Sequence, residues 1–367
     1  MSDANELDML LDSVTAFAAK EKNFGKYRAQ RNQLPGADLD QLQKIAELGW
    51  FGILVPEDHG GLGLGLGEMA EVVRHLAKGL MAEPITATAV LGAGVLAGGA
   101  NEALKRELLP RIAMGEYQLC LAFQPAQGGV EFARTGVRHA AGQLNGECRF
   151  VAGAGIAQSF LVVAKGAEGL NVHLVEKDAP GLSVEFEWRH DGSCVGRLNL
   201  ENVAAGALVC GADTASEALT AAFDKALIVA SAEMLGIMEA VIDMTLEYMR
   251  VRVQFDKPIG SYQALQHKMV DLYVLKEISS GVLQEALTST PATAAGRGRL
   301  ASRTKSRCSD AVMRITRECI QLHGAIGFTY EYDLGLYVHR AMVLAAWLGN
   351  GTVHRRRIRQ LTTEVSA

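Results

Sequence analysis

The sequence predicts an α+β multidomain protein with helical ends and a β-rich middle. Three observations predict this. Apolar residues recur at helical spacing through about the first 116 residues. Between Gln118 and about Val209 the pattern becomes alternating and β-branched, broken by Gly, Asn and Asp. From Ala215 onward long helical patterns return. We therefore expect an N-terminal helical domain over 1–116, a middle β-domain over 117–212 and a C-terminal helical domain over 213–367.

Leu7, Leu10, Leu11 and Val14 fall at i, i+3, i+4 and i+7, which makes one stripe of a first helix. Asp38 is placed to cap a second helix through Leu42, Ile45 and Leu48, and Gly49 suits its end. The run VPEDHGGLGLGLG then carries Gly60, Gly61, Gly63, Gly65 and Gly67. No strand–loop–helix unit surrounds it and no Gly-Lys-Ser/Thr follows. It reads as tight turns before a helix over about Glu68 to Lys78, not as a phosphate loop. In the middle region SFLVVAKG, NVHLVEKD, GLSVEFEW and RLNLENV read as short strands, and Asn145-Gly146 suits a type I′ hairpin turn. Ala222 to Met249 is long, Ala-rich and nearly uncharged at its centre, so it is expected to be buried on several sides. A second long helix is expected from about Tyr262 to Leu287 and a third over Ser302 to Gly324. Between them TSTPATAAGRG reads as a loop broken by Pro291 and Gly296. There is no internal repeat.

Composition removes several function classes. With 36 Lys+Arg against 41 Asp+Glu, the net charge of −5 argues against charge-driven nucleic-acid binding. The cysteines at 120, 148, 194, 210, 308 and 319 form no CxxC and none lies near a His at zinc spacing. Neither a disulfide framework nor a metal is expected, and a cytoplasmic location follows. Met1 to Val14 is acidic where a signal peptide would be basic, and Ile85 to Ala100 is too short and too weakly apolar to span a bilayer. The run HRRRIRQ, His354 to Gln360, suits either the last turn of a helix or an acidic or phosphate-bearing partner.

Three strings appear in a telling order: VPEDHGGLGLG, then RVQFDKPIGSYQALQHKMVDL from Arg252, then QLHGAIGFTYEYDLGLYVHRA from Gln321. Together they resemble the acyl-CoA dehydrogenases, and the resemblance spans essentially the whole chain. It implies a C-terminal four-helix bundle that builds an oligomer, FAD as cofactor, an acyl-CoA substrate and electron transfer flavoprotein as a partner. It also implies a base that removes the α-proton while the β-hydride leaves to flavin. Hydrogen bonds to the thioester carbonyl make that proton acidic enough. The resemblance places Arg252 and Phe255, with Gln263 close by, at the flavin nucleotide of a neighbouring subunit. It places Gln321, Gly324 and Ala325 against the pyrophosphate and adenosine across the same contact. Arg252 suits a pyrophosphate because its fork is bidentate and permanently charged. The family usually has two glycines where this chain has Gly324-Ala325, and His323 reads as a packed histidine.

Other positions depart from the family. Where members with an intact site carry Thr followed by an acid, this chain has Phe123 and Gln124. Where they carry an aromatic-Ile-Thr stretch, it has Phe150-Val151-Ala152. Against the family pattern the polar contacts to the flavin ring are thinned, or backbone N–H groups alone supply them. The usual Glu base position holds Asn350, before Gly351 and Thr352, and the alternate position holds Ala226. An amide cannot take an α-proton, so the catalytic base is unassigned. Glu233 lies two turns beyond Ala226, roughly 10 Å along the helix. Burial would suit it as a base, and pairing with an Arg would make it structural. Asp256 reads as a surface residue.

Three functions stay open. The chain is one subunit of a hetero-oligomer sharing a flavin site, a self-sufficient homotetramer with a relocated base, or a non-catalytic CoA-ester binder. The segment Ile315 to Met342 resembles members acting on steroid side-chain CoA esters, which include two-chain enzymes.

Overall fold

The computed structural model describes residues 3–81 and 84–363. The chain begins with α1 (Asp3–Glu21), α2 (Phe24–Gln30), α3 (Leu39–Glu47) and α4 (Leu66–Lys78). A buried π-helical stretch, Thr86–Gly92, leads into α5 (Ala93–Gly98) and α6 (Glu102–Ala113). Next come β1 (Leu119–Ala122), β2 (Val137–Ala140), β3 (Gln143–Ala152) and β4 (Ser159–Lys165). They continue into β5 (Leu170–Glu176), β6 (Leu182–Trp188), β7 (Cys194–Ala204) and β8 (Leu208–Cys210). After α7 (Ala215–Val251) comes a small hairpin, β9 (Val253–Gln254) and β10 (Lys257–Pro258). The chain finishes with α8 (Gln263–Thr288), α9 (Ala294–His323), α10 (Leu334–Ala346) and α11 (Gly351–Thr363). This is the helix–sheet–helix order that the sequence predicts.

The contacts form two compact units, Lys26–Met69 with Glu83–Ala226, and Met1–Gly25 with Ala70–Ala82 and Leu227–Ala367. In the first, Asp38 caps α3 by accepting the Gln41 N–H at 3.2 Å, and Leu42 and Ile45 are buried. The glycine-rich segment folds back on the chain before it. The N–H groups of Gly61, Leu62, Gly63 and Leu64 donate to the carbonyls of Pro56, Gly52, Val55 and Ile53. Donors spent inside a turn cannot cradle a phosphate. A Cβ at Gly61 would stand 2.1 Å from the Val55 carbonyl oxygen, so only glycine fits there.

The sheet of this unit runs β6-β7-β3-β2-β4-β5-β8, with β1 pairing parallel to β4. Its core holds Val137, Leu144, Phe160, Val162, Leu198 and Val203. One expectation fails here. Asn145-Gly146 is not a hairpin turn; the turn between β2 and β3 is Ala141-Gly142, with φ of 50° and 73°. Asn145 and Gly146 lie inside β3, where the pairing with β7 shifts register. A Cβ at Gly146 would approach the Gly136 carbonyl oxygen to 2.1 Å, so this glycine answers a close approach of strands.

In the second unit α7 packs against α4 so closely that a Cβ on Gly236 would stand 2.1 Å from the Arg74 carbonyl oxygen. Arg74 also pairs with Glu239, which Lys78 meets at 2.7 Å. α9 begins earlier than its glycines imply. Thr293 accepts the Gly296 N–H at 3.1 Å, so Gly296 sits in a capped first turn and does not break the chain. Along α9, Ala301, Cys308, Ala311, Ile315 and Cys319 form a buried stripe. Among the described residues no helix is long and apolar enough to cross a membrane.

Candidate functional site

The last turn of α7 carries Tyr248 and continues into Arg252, whose N–H donates to the Tyr248 carbonyl at 2.9 Å. The chain then turns through the β9–β10 hairpin. Phe255 and Asp256 form its tip, both left-handed with φ of 52° and 65°. Such a φ is rare for a bulky aromatic residue. Phe255 is 87% exposed, so its ring stands clear of this chain. Tyr262 steadies the hairpin by donating its hydroxyl to the Gln254 carbonyl at 3.0 Å.

The end of α9 supplies the facing wall. The helix stops at His323, and Gly324 turns the chain with φ of 67°. Between these walls lies a cleft of about 550 Å³ lined by Arg252, Phe255, Gln321, Gly324 and Ala325, together with Tyr248 and His323. Five of the six expected nucleotide-contact residues therefore share one cleft. Gln263 opens α8 in an exposed position and is not part of the lining.

The donor set suits an anion with polar edges. Arg252 is exposed and its guanidinium has no ion-pair partner among the described residues. Gln254 and Gln321 add two side-chain amides. A Cβ on Gly324 would meet nothing within 4 Å, so the glycine leaves open surface over the helix end. An exposed fork with adjacent amides is the arrangement that recognises phosphate oxygens.

His323 is both buried, at 3% exposure, and part of the cleft wall. Its Nδ1 lies 2.7 Å from the Cys319 carbonyl, which can only accept, so Nδ1 carries the proton. Nε2 is then the acceptor for the Tyr332 hydroxyl at 3.0 Å. Burial lowers the His323 pKa from its ordinary value, against a smaller upward pull from the Cys319 carbonyl. The ring stacks on Tyr248 at 4.5 Å between centroids and 23° between planes.

The base positions hold no free carboxylate. Asn350 is the N-cap of α11, with Oδ1 accepting the Val353 N–H at 3.0 Å. Ala226 is fully buried. Glu233 is buried, and its Oε1 accepts from Arg340 Nε at 2.7 Å and from a terminal guanidinium nitrogen at 2.5 Å.

The ring positions in the sheet-containing unit are apolar or internally satisfied. Phe123 is buried in a cluster with Phe132 and Phe223, at 4.9 and 6.4 Å between centroids. Gln124 donates to the Gly129 carbonyl at 2.7 Å. Phe150 is left-handed, with φ of 59°, and lies under Arg149. Val151 is buried.

Sequence reasoning missed one group beneath Asn350. Lys305 is fully buried, and its Nζ donates to the carbonyls of Leu344 at 2.9 Å and Gly349 at 3.1 Å and to Ser309 Oγ at 3.1 Å. It satisfies carbonyls at the end of α10 that would otherwise be orphaned. Burial pushes its pKa down to about 7. The signal was present: Ala301, Thr304, Lys305 and Cys308 are at i, i+3, i+4 and i+7, so a lysine occupies a core stripe.

Family models for the acyl-CoA dehydrogenase N-terminal and C-terminal domains match residues 4–116 and 217–361. The chain belongs to the acyl-CoA dehydrogenases, a family of oxidoreductases. It is 28% identical over 363 residues to the acyl-CoA dehydrogenase IpdE2 of Mycolicibacterium smegmatis, covering 99% of each chain. To IpdE2 of Mycobacterium tuberculosis it is 29% identical over 370 residues, covering 100% of this chain and 99% of that one. Among solved structures it is similar to a steroid acyl-CoA dehydrogenase variant, Tcur3481-Tcur3483, with TM-score 0.88, 26% identity and 99% coverage of each chain. It is likewise similar to the ChsE4-ChsE5 complex of Mycobacterium tuberculosis, with TM-score 0.87, 25% identity and coverage of 99% and 98%. Both solved structures share the overall fold described above over nearly the whole chain.

Proposed function

We propose that this chain is one subunit of a hetero-oligomeric acyl-CoA dehydrogenase that carries out FAD-dependent α,β-dehydrogenation of an acyl-CoA thioester. The observation that carries the reading is a division among the residues. Arg252, Phe255, Gln321, Gly324 and Ala325 form one cleft fit for phosphate oxygens. By contrast, Phe123, Gln124, Phe150 and Asn350 offer neither ring hydroxyls nor a base. In this reading the chain contributes the cleft to a flavin nucleotide whose ring contacts and base belong to a different chain.

FAD, when bound, supplies the hydride acceptor for the β-carbon. The work of this chain is to hold and orient. Arg252 would hold the pyrophosphate by charge-assisted hydrogen bonds, Gln321 and Gln254 would offer amide edges, and Gly324 would let the backbone approach. The exposed Phe255 ring at the hairpin tip would lend apolar surface to the same nucleotide. Val270, Tyr273, Val274 and Ile278 give α8 an exposed apolar face at helical spacing, as a bundle that assembles with other chains requires. Similarity to a steroid acyl-CoA dehydrogenase supports a steroid side-chain CoA ester as substrate, and similarity to a two-protein complex supports assembly with a second chain. Electron transfer flavoprotein is the acceptor this reading carries.

The test is flavin absorbance per chain, for the protein expressed alone and with its genetic neighbour. Little flavin alone and about half a flavin per chain in the complex is expected. A full flavin per chain when expressed alone refutes the shared site. Arg252→Ala in the complex is expected to weaken FAD binding by roughly 10- to 100-fold, the loss for a charge-assisted hydrogen-bond pair.

A further inference from the structure

We infer that His323 is a positioning residue that holds the two walls of the nucleotide cleft in register; the inference rests on the nucleotide reading of that cleft. The two walls come from helix ends about seventy residues apart, one at the end of α7 and the other at the end of α9. Arg252 sits one helical turn beyond Tyr248, tied to it by the backbone bond at 2.9 Å. Gln321 lies two residues before His323, and Gly324 follows it directly. The His323 ring joins these parts. It stacks on Tyr248, donates from Nδ1 to Cys319 within α9, and accepts at Nε2 from Tyr332 beyond the Gly324 turn. Tyr332 also packs edge-on to Tyr248, at 6.4 Å between centroids, so three rings close on one another.

This arrangement answers a physical difficulty. The α9 end presents carbonyls, which disfavour an anion. Attraction for a phosphate therefore depends on where the Arg252 guanidinium stands relative to the Gln321–Ala325 wall. A neutral ring that is donor on one side and acceptor on the other fixes that relation without adding a charge. Phenylalanine could stack there but would make neither hydrogen bond, and a protonated imidazole could not accept from Tyr332.

A merely packed His323 and a positioning His323 differ in how they couple to Arg252. The experiment titrates ADP calorimetrically into the full chain, for wild type, Arg252→Ala, His323→Ala and the double variant. Circular dichroism confirms folding in each. Arg252→Ala is expected to weaken ADP roughly tenfold or more. His323→Ala should cost a comparable factor, since it acts by placing that arginine. Adding Arg252→Ala to His323→Ala should then cost about twofold or less. Tyr332→Phe removes only the hydroxyl that orients the ring, and serves for the same cycle if His323→Ala does not fold. Independent, multiplying losses overturn the positioning role, and so does unchanged ADP affinity in the folded His323→Ala or Tyr332→Phe protein. A wild-type chain that binds no ADP at millimolar concentration instead overturns the nucleotide reading of the cleft, and this inference with it.

Discussion

His354 makes the second unit acid-sensitive in a way that one substitution isolates. Its side chain is fully buried on α11, where Nε2 donates to the Leu348 carbonyl at 2.9 Å. Burial lowers its pKa most, and the Lys305 ammonium adds to this, bringing it to about 3 from an ordinary 6.5. Between those values the unfolded chain binds a proton that the folded chain does not. Stability therefore rises with pH across this window and is lost as pH falls from about 6.5 toward 3. Each unit of difference is worth ~1.4 kcal/mol, so the loss from pH 8 to pH 5 is ~2 kcal/mol for this group alone. The assay is urea unfolding of wild type and His354→Gln at both pH values. Glutamine keeps a donor for the Leu348 carbonyl but does not titrate. Wild type is expected to lose roughly 2 kcal/mol more than the variant on acidification. Parallel losses in the two proteins would refute a neutral, buried imidazole as the acid-sensitive element.

Lys305 should respond at the alkaline end. Its folded pKa of about 7 lies below the ordinary 10.5, so stability should rise by ~2 kcal/mol between pH 7 and 9. Lys305→Met should flatten that rise, and an unchanged slope counts against it. Glu233→Gln removes the carboxylate that two Arg340 nitrogens hold in a buried ion pair and should cost ~3–5 kcal/mol in thermal or denaturant unfolding. Turnover per folded, flavin-loaded complex should survive; its loss with fold and flavin intact would make Glu233 the base. Asn350→Ala removes the α11 cap and should cost about 1 kcal/mol of stability without changing turnover.

Legibility followed locality. α3 was readable because its cap, its apolar pair and its terminal glycine all lie within twelve residues, and the structure uses each as its type implies. The glycine-rich segment was readable by what it lacked, and its N–H groups are indeed spent on the preceding turn. Asn145-Gly146 misled because the reason for Gly146 is another stretch of backbone, the Gly136 carbonyl just before the neighbouring strand β2. Gly296 misled because a capped first turn tolerates a glycine that a helix interior would not. For Gly146 the cause lay outside the dipeptide, and for Gly296 it was the Thr293 cap three residues upstream.

The cleft shows the same limit at the level of function. Its residues fall in two short strings at helix ends, so the strings were legible, but the element that joins them was not. His323 reads as a packed residue because it is one; that its packing also spans Tyr248 and Tyr332 appears only once α7 and α9 are side by side. The missing base is a different case. Asn350 and Glu233 are not vacant positions awaiting a partner group, because one is occupied as a helix cap and the other by an arginine. Restoring a carboxylate at 350 would put Glu where the Asn350 cap stands, above a buried lysine whose hydrogen bonds hold the preceding turn. The chain is therefore internally satisfied where a self-sufficient enzyme would hold a free carboxylate, while Arg252, where a nucleotide would be met, has no ion-pair partner among the described residues. One unpaired arginine and a helix's carbonyl end make a weak grip on a dinucleotide by themselves. That weakness is why the flavin count of the isolated chain, set against that of the complex, decides between a shared site and a complete one.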